Sequence, residues 1–191
     1  MPKVTALREE RPDRVHVELD GITWRTVPVA AVLAAELRVG TELDRNRARL
    51  LRRALRRTSA LDVAAKALSR RDRSTAGTND FLARRGFTLA ERGEAVRSLA
   101  QLGYLDDGRF ASSRAHALAS RGYGDDAIRF DLERQDLGRE LIDAALAGLA
   151  PEAERARAAA AALEGPKAFR RLASKGFSFE AIEAALSSPE P

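Results

Sequence analysis

The sequence predicts a mainly α-helical, elongated protein in which a small N-terminal β-hairpin-plus-helix domain precedes three tandem three-helix repeats. Three observations predict it. First, Arg84-Arg85-Gly86-Phe87, Arg134-Gln135-Asp136-Leu137 and Ser174-Lys175-Gly176-Phe177 align without gaps, with Leu82, Leu132 and Leu172 five residues before the anchors Phe87, Leu137 and Phe177 and Val96, Leu146 and Leu186 nine after them. Such spacing points one apolar residue back along a helix and places others on one face of the next helix. Second, Gly86 and Gly176 suit a left-handed position just past a helix end, where Asp136 is a tolerable substitute. Third, strand-like alternation is confined to residues 15 to 27, centred on Asp20-Gly21, a dipeptide that favours a two-residue type I′ turn.

That hairpin, Val15 to Val27, is expected to be the only sheet. Its two-residue loop sets Leu19 opposite Ile22, Val17 opposite Trp24 and Val15 opposite Thr26, which makes Trp24 a core residue. A lone hairpin is marginal in water, so it needs the Ala/Leu-rich segment from Pro28 to Leu37 as a packing partner. Pro28 suits the start of that helix and Gly40 its end. Asp44 is the candidate cap of an Arg-rich helix, and Thr58-Ser59 is read as the break into the repeats, giving domains at 1–58, 59–107, 108–149 and 150–191.

Repeat one is expected to carry helices near 60–70, 74–85 and 88–102, with Ser74 as an N-cap and Thr88 with Glu91 as a capping box. In repeat two, Asp106 caps a helix holding Phe110, Ala111 and Leu118; the second helix runs from Asp125 to Arg134, and Gly138 opens a third that ends near Gly148. Repeat three starts at Pro151, runs through Ala158 to Ala162, restarts at Pro166 and ends after Ser178 to Leu186, leaving Ser188 to Pro191 frayed. Repeat one breaks its own pattern: Arg92 stands where the others have Ile142 and Ile182, Thr78 stands where they have Ile128 and Ala168, and Gly77 and Gly93 lie inside helices. Residues 74–99 are therefore expected to open more readily than repeat two.

Composition narrows the function. The chain has no cysteine, which excludes disulfides and zinc-thiolate sites, and its two histidines, His16 and His116, have no patterned carboxylates beside them. Neither metal nor cofactor is expected. No apolar run reaches the roughly 18 residues of a membrane span and the N-terminus does not read as a signal peptide, so a cytoplasmic, monomeric protein without membrane contact is expected. Asp106-Asp107 and Asp125-Asp126 read as caps and dipole partners at helix starts. No nucleophile accompanies them, and no Gly-rich loop has the order of a phosphate-binding loop, so an enzyme is not expected.

The net charge of +5 arises within residues 1–58, which hold 13 basic and 8 acidic residues. Read as a helix, the segment around Leu51 and Leu55 turns Arg45, Arg49, Arg52 and Arg56 outward, a footprint that suits phosphate and equally suits plain solvation. Arg70, Arg71, Arg73, Arg84, Arg85 and Arg121 fall at helix ends, where cations complement the carbonyl terminus. Tyr104, Arg109 and Tyr123 complete the set of candidate contact residues.

Ser-Arg-Arg-Asp-Arg-Ser (69–74), Arg-Arg-Gly-Phe (84–87), Leu-Gly-Tyr-Leu-Asp-Asp (102–107), Arg-Phe-Ala (109–111), Arg-Gly-Tyr-Gly (121–124) and Lys-Gly-Phe-Ser (175–178) stand in an order that resembles the RecX family of recombination regulators, over roughly Leu61 to Leu186. The resemblance implies three tandem three-helix repeats that bind the RecA filament and modulate, chiefly inhibit, its ATP turnover and strand exchange. It also implies a place in DNA recombination, repair and the SOS response, and contact with single-stranded DNA chiefly inside the filament. Two departures stand out: relatives tend to have a proline and basic residues after the position of Gly124, where this chain has Asp125-Asp126, and a Glu-Leu pair in place of Gly77-Thr78. The alternative function, from another class, is a helical module that binds single-stranded nucleic acid directly through the Arg-rich helix, although few aromatics are interleaved to stack bases.

Overall fold

The structure is a computed structural model that describes residues 1–161 and 165–187. Strands β1 (Val4–Arg11), β2 (Arg14–Leu19) and β3 (Ile22–Pro28) form one antiparallel sheet in the order β1-β2-β3. Ten helices follow among the described residues: α1 (Val29–Ala34), α2 (Arg45–Leu68), α3 (Thr75–Ala83), α4 (Leu89–Gln101), α5 (Asp107–Ala119), α6 (Asp125–Glu133), α7 (Arg139–Ala147), α8 (Glu152–Ala160), α9 (Gly165–Ser174) and α10 (Phe179–Leu186). The chain divides into two compact units. One comprises Met1–Arg71 with Asn79–Tyr104, the other Asp72–Thr78 with the chain from Leu105 onward.

In the first unit the expected hairpin is present, with Asp20 at φ 51° and Gly21 at φ 77° as a type I′ turn demands. Three expectations for this region are corrected. The sheet has a third strand, β1, which the alternation test misses because register irregularities between Val4 and Ala6 and between Glu9 and Arg11 interrupt its period of two. The pairing of β2 with β3 also shifts: Leu19 faces Ile22 as expected, but a bulge makes Val17 face Arg25 and Val15 face Val27. The residue left over in β3 is Trp24. The residue is 39% exposed, with the Arg25 guanidinium 5.4 Å from the ring centre, so Trp24 is a surface residue and Val27 takes the core position. Val4, Val17 and Val27 pack with Ala31, Val32, Ala35, Leu37 and Leu51 into one core.

Pro28 does stand at the start of α1, as its N-cap, but the helix stops at Ala34, its C-cap Ala35 preceding a left-handed Glu36 (φ 50°); Gly40 (φ 90°) belongs to a later turn. Asp44 caps α2 by accepting the Arg47 N–H at 2.7 Å. The break expected at Thr58-Ser59 is absent. Helix α2 runs through it for 24 residues, and the Thr58 hydroxyl, donating to the Ala54 carbonyl at 3.1 Å, is satisfied inside the helix. Thr88 and Glu91 make the full capping box of α4.

The second unit holds α5–α7 and α8–α10, two copies of the three-helix plan. Phe110, Ala115, Ile128, Leu132, Leu137 and Ile142 fill the first copy, and Ala156, Ala168, Leu172, Phe177 and Ile182 fill the second. The three anchor turns are left-handed: Gly86 at φ 76°, Asp136 at 58° and Gly176 at 74°. Ala162, the last residue of the alanine run expected in α8, and the terminal Ser188 to Pro191 lie outside the described residues.

Candidate interaction surfaces and the repeat clasps

Arg45, Arg49 and Arg52 lie three or four residues apart on α2, are exposed, and have no ion pair among the described residues. Arg56, one step further, is held inside the first unit. Its Nε pairs with Glu91 at 3.1 Å, its Nη2 donates to the Gly86 carbonyl at 2.6 Å, and its guanidinium sits 4.8 Å from the centre of the Phe87 ring. Arg56 thus covers the carbonyl of the left-handed turn that ends α3. Arg53, which the stripe reading passed over, is exposed and has no ion pair among the described residues, while Arg57 pairs with Glu94.

Arg56 also fixes an acid-side dependence of stability. Its hydrogen bond to Glu91, ahead of the bonds from Thr88, holds the Glu91 carboxyl below its ordinary 4.5. A carboxyl depressed in the folded state stabilises fully above its unfolded value, and that stabilisation is lost as pH falls through the folded one. Arg56→Gln is expected to lower stability by about 1 kcal/mol at neutral pH, and Glu91→Gln to flatten the acid limb of the urea midpoint. An unchanged midpoint for Arg56→Gln would show that its three contacts are dispensable.

The other candidate cations scatter. Arg70, Arg71 and Arg84 are exposed, and Arg85 lies with its guanidinium 3.7 Å from the centre of the Phe81 ring. Tyr104 is 63% exposed in the first unit. In the second unit Arg109 and Arg121 are exposed and Arg73 is half-buried. Tyr123 belongs to the packing instead: the Lys175 ammonium sits 3.8 Å from its ring centre, and its carbonyl accepts from Arg155 at 3.1 Å.

What the sequence reading missed is a pair of polar clasps in the second unit. Asp107, the first residue of α5, accepts the backbone N–H of Thr75, the first residue of α3, at 2.7 Å. Glu152, the first residue of α8, likewise accepts the N–H of Asp125, the first residue of α6, at 2.7 Å. Each carboxylate therefore satisfies an orphan donor at another helix's positive end. Glu152 also accepts the Ser178 hydroxyl at 2.6 Å, and Arg155 pairs with Asp125. Burial among these groups raises the Asp125 carboxyl above its usual value, with Arg155 opposing the rise.

Beside each carboxylate a second bond differs in kind. The Ser74 hydroxyl donates to the Gln135 carbonyl at 2.9 Å, whereas at the equivalent place the Gly124 backbone N–H itself donates to the Lys175 carbonyl at 2.9 Å. Ser74 also accepts the Gly77 N–H at 3.0 Å, and a Cβ at residue 77 would stand 3.2 Å from that hydroxyl, which accounts for Gly77 within α3. The anchor alignment hides the clasps because Asp107 lies 20 residues after Phe87 while Glu152 lies only 15 after Leu137.

Fold and clasps together define a tandem three-helix-repeat protein led by a small sheet domain. A family model for the second three-helix domain of RecX matches residues 106–146. The chain is 33% identical over 136 residues to the regulatory protein RecX of Chromohalobacter salexigens, covering 66% of this chain and 90% of that one. It is 31% identical over 140 residues to the regulatory protein RecX of Vibrio campbellii, covering 68% and 90%. A crystal structure of a regulatory protein RecX shares the fold at a TM-score of 0.79 with 22% identity, covering 97% of this chain and 98% of that one. RecX from Lactobacillus salivarius does so at 0.63 with 19% identity, covering 68% and 94%. The chain belongs to the RecX family of regulatory proteins.

Proposed function

We propose that this protein binds the RecA recombinase filament and regulates it, restraining ATP turnover and DNA strand exchange without chemistry of its own. The observation that carries this reading is its 33% identity to a protein named regulatory protein RecX over 90% of that protein's length. The architecture suits such a partner. Within the second unit the three-helix plan occurs twice, and Arg139 and Phe179, two residues after their anchors, are exposed at the start of the third helix of each copy, so a surface position recurs as one does along a periodic filament. The test is affinity for RecA filaments on single-stranded DNA against affinity for the naked strand, with ATP turnover followed in parallel. Preference for the filament with slowed turnover is expected; preference for naked DNA with no effect on turnover would overturn the reading.

The second reading, a direct single-stranded nucleic-acid module, is favoured by one observation, the exposed guanidinium row of Arg45, Arg49 and Arg52, which has no ion pair among the described residues. If that row meets phosphate, Arg49→Gln with Arg52→Gln is expected to flatten the dependence of log affinity on log salt by roughly one per lost contact. Arg56 is omitted from the variant because its loss would disturb the fold. An unchanged slope would leave the row as solvated surface.

A further inference from the structure

The exposed surface of α9–α10 carries an aromatic pair that the fold does not need. Phe169 and Phe179 meet edge-to-face, with ring centres 6.4 Å apart and planes at 74°, yet they remain 40% and 61% exposed. The inward faces of the two helices are filled by other residues, Ala168 and Leu172 on α9 and Ala181 and Ile182 on α10. The matching positions of α6–α7 show how the same place is closed with polar residues. There Arg129 and Arg139 both pair with Asp143, at 2.7 and 3.4 Å. In anchor register Phe169 replaces Arg129, Phe179 replaces Arg139 and Glu183 replaces Asp143. One repeat thus closes this spot with an ionic clamp, and its neighbour spends two phenylalanines on it and leaves them in water. The exposed area of the two residues is roughly 200 Å².

The charges around the pair indicate what covers it. On α9, Lys167, Arg170 and Arg171 are exposed and have no ion pair among the described residues; on α10 the same holds for Glu180 and Glu183. Glu183 lies one turn along from Phe179 and so shares its face. Cations on one helix and carboxylates on the other suit a protein surface of opposite pattern. A nucleic-acid strand is disfavoured, since Glu180 and Glu183 repel phosphate and a base needs an open ring face to stack. A patch of this size is an anchor within a larger interface, because a stable interface covers about 800 Å² on each partner.

We propose that Phe169 and Phe179 form a protein-docking anchor that seats on the recombinase protomer, in an apolar depression with acidic groups facing α9 and basic groups facing α10. The inference rests on the RecA-filament reading and adds to it the repeat and the two side chains that grip protein. Buried aromatic anchors of this kind carry a disproportionate share of binding energy.

The test uses two full-length double variants. Phe169→Arg with Phe179→Arg installs the neighbouring repeat's own solution, with Glu183 in place to join it; Phe169→Gln with Phe179→Gln removes the rings without adding charge. Both are expected to melt like the parent and to bind RecA filaments on single-stranded DNA about tenfold more weakly, with affinity for naked single-stranded DNA not reduced. Filament affinity within twofold of the parent would overturn the anchor while leaving the filament reading intact. An equal loss on naked DNA would instead make the rings a nucleic-acid surface, and loss of a concentration-dependent dimer seen by sedimentation would make them a self-association surface; either result overturns the proposal. A parent protein that does not bind filaments would sink the filament reading and the anchor with it.

Discussion

Replacing Gly124 with alanine is expected to cost about 3 kcal/mol, the upper range for overpacking a core, and to lower the melting temperature by roughly 10 °C. A Cβ at this position would stand 2.3 Å from the carbonyl oxygen of Gly176 and 2.3 Å from the backbone N and Cα of Phe177. None of these is the end of a flexible side chain, so relief requires the start of α6 to move off the turn before α10. That movement would stretch the bond from the Gly124 N–H to the Lys175 carbonyl and the one from the Asp126 N–H to the Gly176 carbonyl, now 2.9 and 3.1 Å. It would also pull Asp125 away from Glu152. Gly176 answers from the other side, since its Cβ would fall 2.6 Å from that of Ala127 and its φ of +74° already disfavours any other residue. The control is Gly138→Ala, at φ −68° with nothing within 4 Å of the added carbon, expected to change stability little. A Gly124→Ala melting point within two or three degrees of the parent would show that the contact relaxes more cheaply than its backbone composition implies.

The same position shows why neither clasp was readable in the sequence, although one residue of the first was. Ser74 advertises itself as an N-cap, and the structure confirms that role through the Gly77 N–H. Gly124 advertises only a turn, although its lack of a side chain is what admits the Lys175 carbonyl. Likewise the left-handed turns at Gly86, Asp136 and Gly176 and the caps at Asp44, Thr88 and Asp106 were legible because each depends on a residue and its immediate neighbours. Strand β1 was not, since its bulges break the alternation that reveals a strand, and the bulge at Trp24 moved a large aromatic to the surface by one residue of slippage. The break read at Thr58-Ser59 failed because a threonine can bond back within a helix. Of the basic stripe, the periodicity identified the exposed Arg45, Arg49 and Arg52, but it could not see that Glu91, 35 residues beyond Arg56 in sequence, would claim that guanidinium.

The departures of repeat one from its own pattern lead to the remaining prediction, in which two substitutions stabilise. Thr78 is fully buried and its hydroxyl has no hydrogen-bond partner among the described residues, at the position filled by Ile128 in the next repeat. Arg92 is half-buried where the later repeats have Ile142 and Ile182; its Nη1 reaches the Asn79 carbonyl only at 3.5 Å, and its Nε is buried with no hydrogen-bond partner among the described residues. A buried polar atom left unsatisfied costs on the order of 1 kcal/mol or more. Thr78→Val removes one such atom at nearly constant shape, and Arg92→Ile removes the other while restoring the residue type of the sister repeats. Each is expected to raise stability by about 1 kcal/mol, and the pair by about 2 kcal/mol if the sites act independently. Gly93 adds a helix-interior glycine to the same segment, and the nearest atom to a Cβ there is the movable end of Arg97 at 3.4 Å. In the unaltered protein, amide exchange over residues 74–99 is therefore expected to be faster than over 126–147, and the double variant should slow it. Equal protection of the two segments in the parent, or a double variant no more stable than the parent, would mean that the arginine stem and the threonine methyl already fill repeat one as well as isoleucine fills the others.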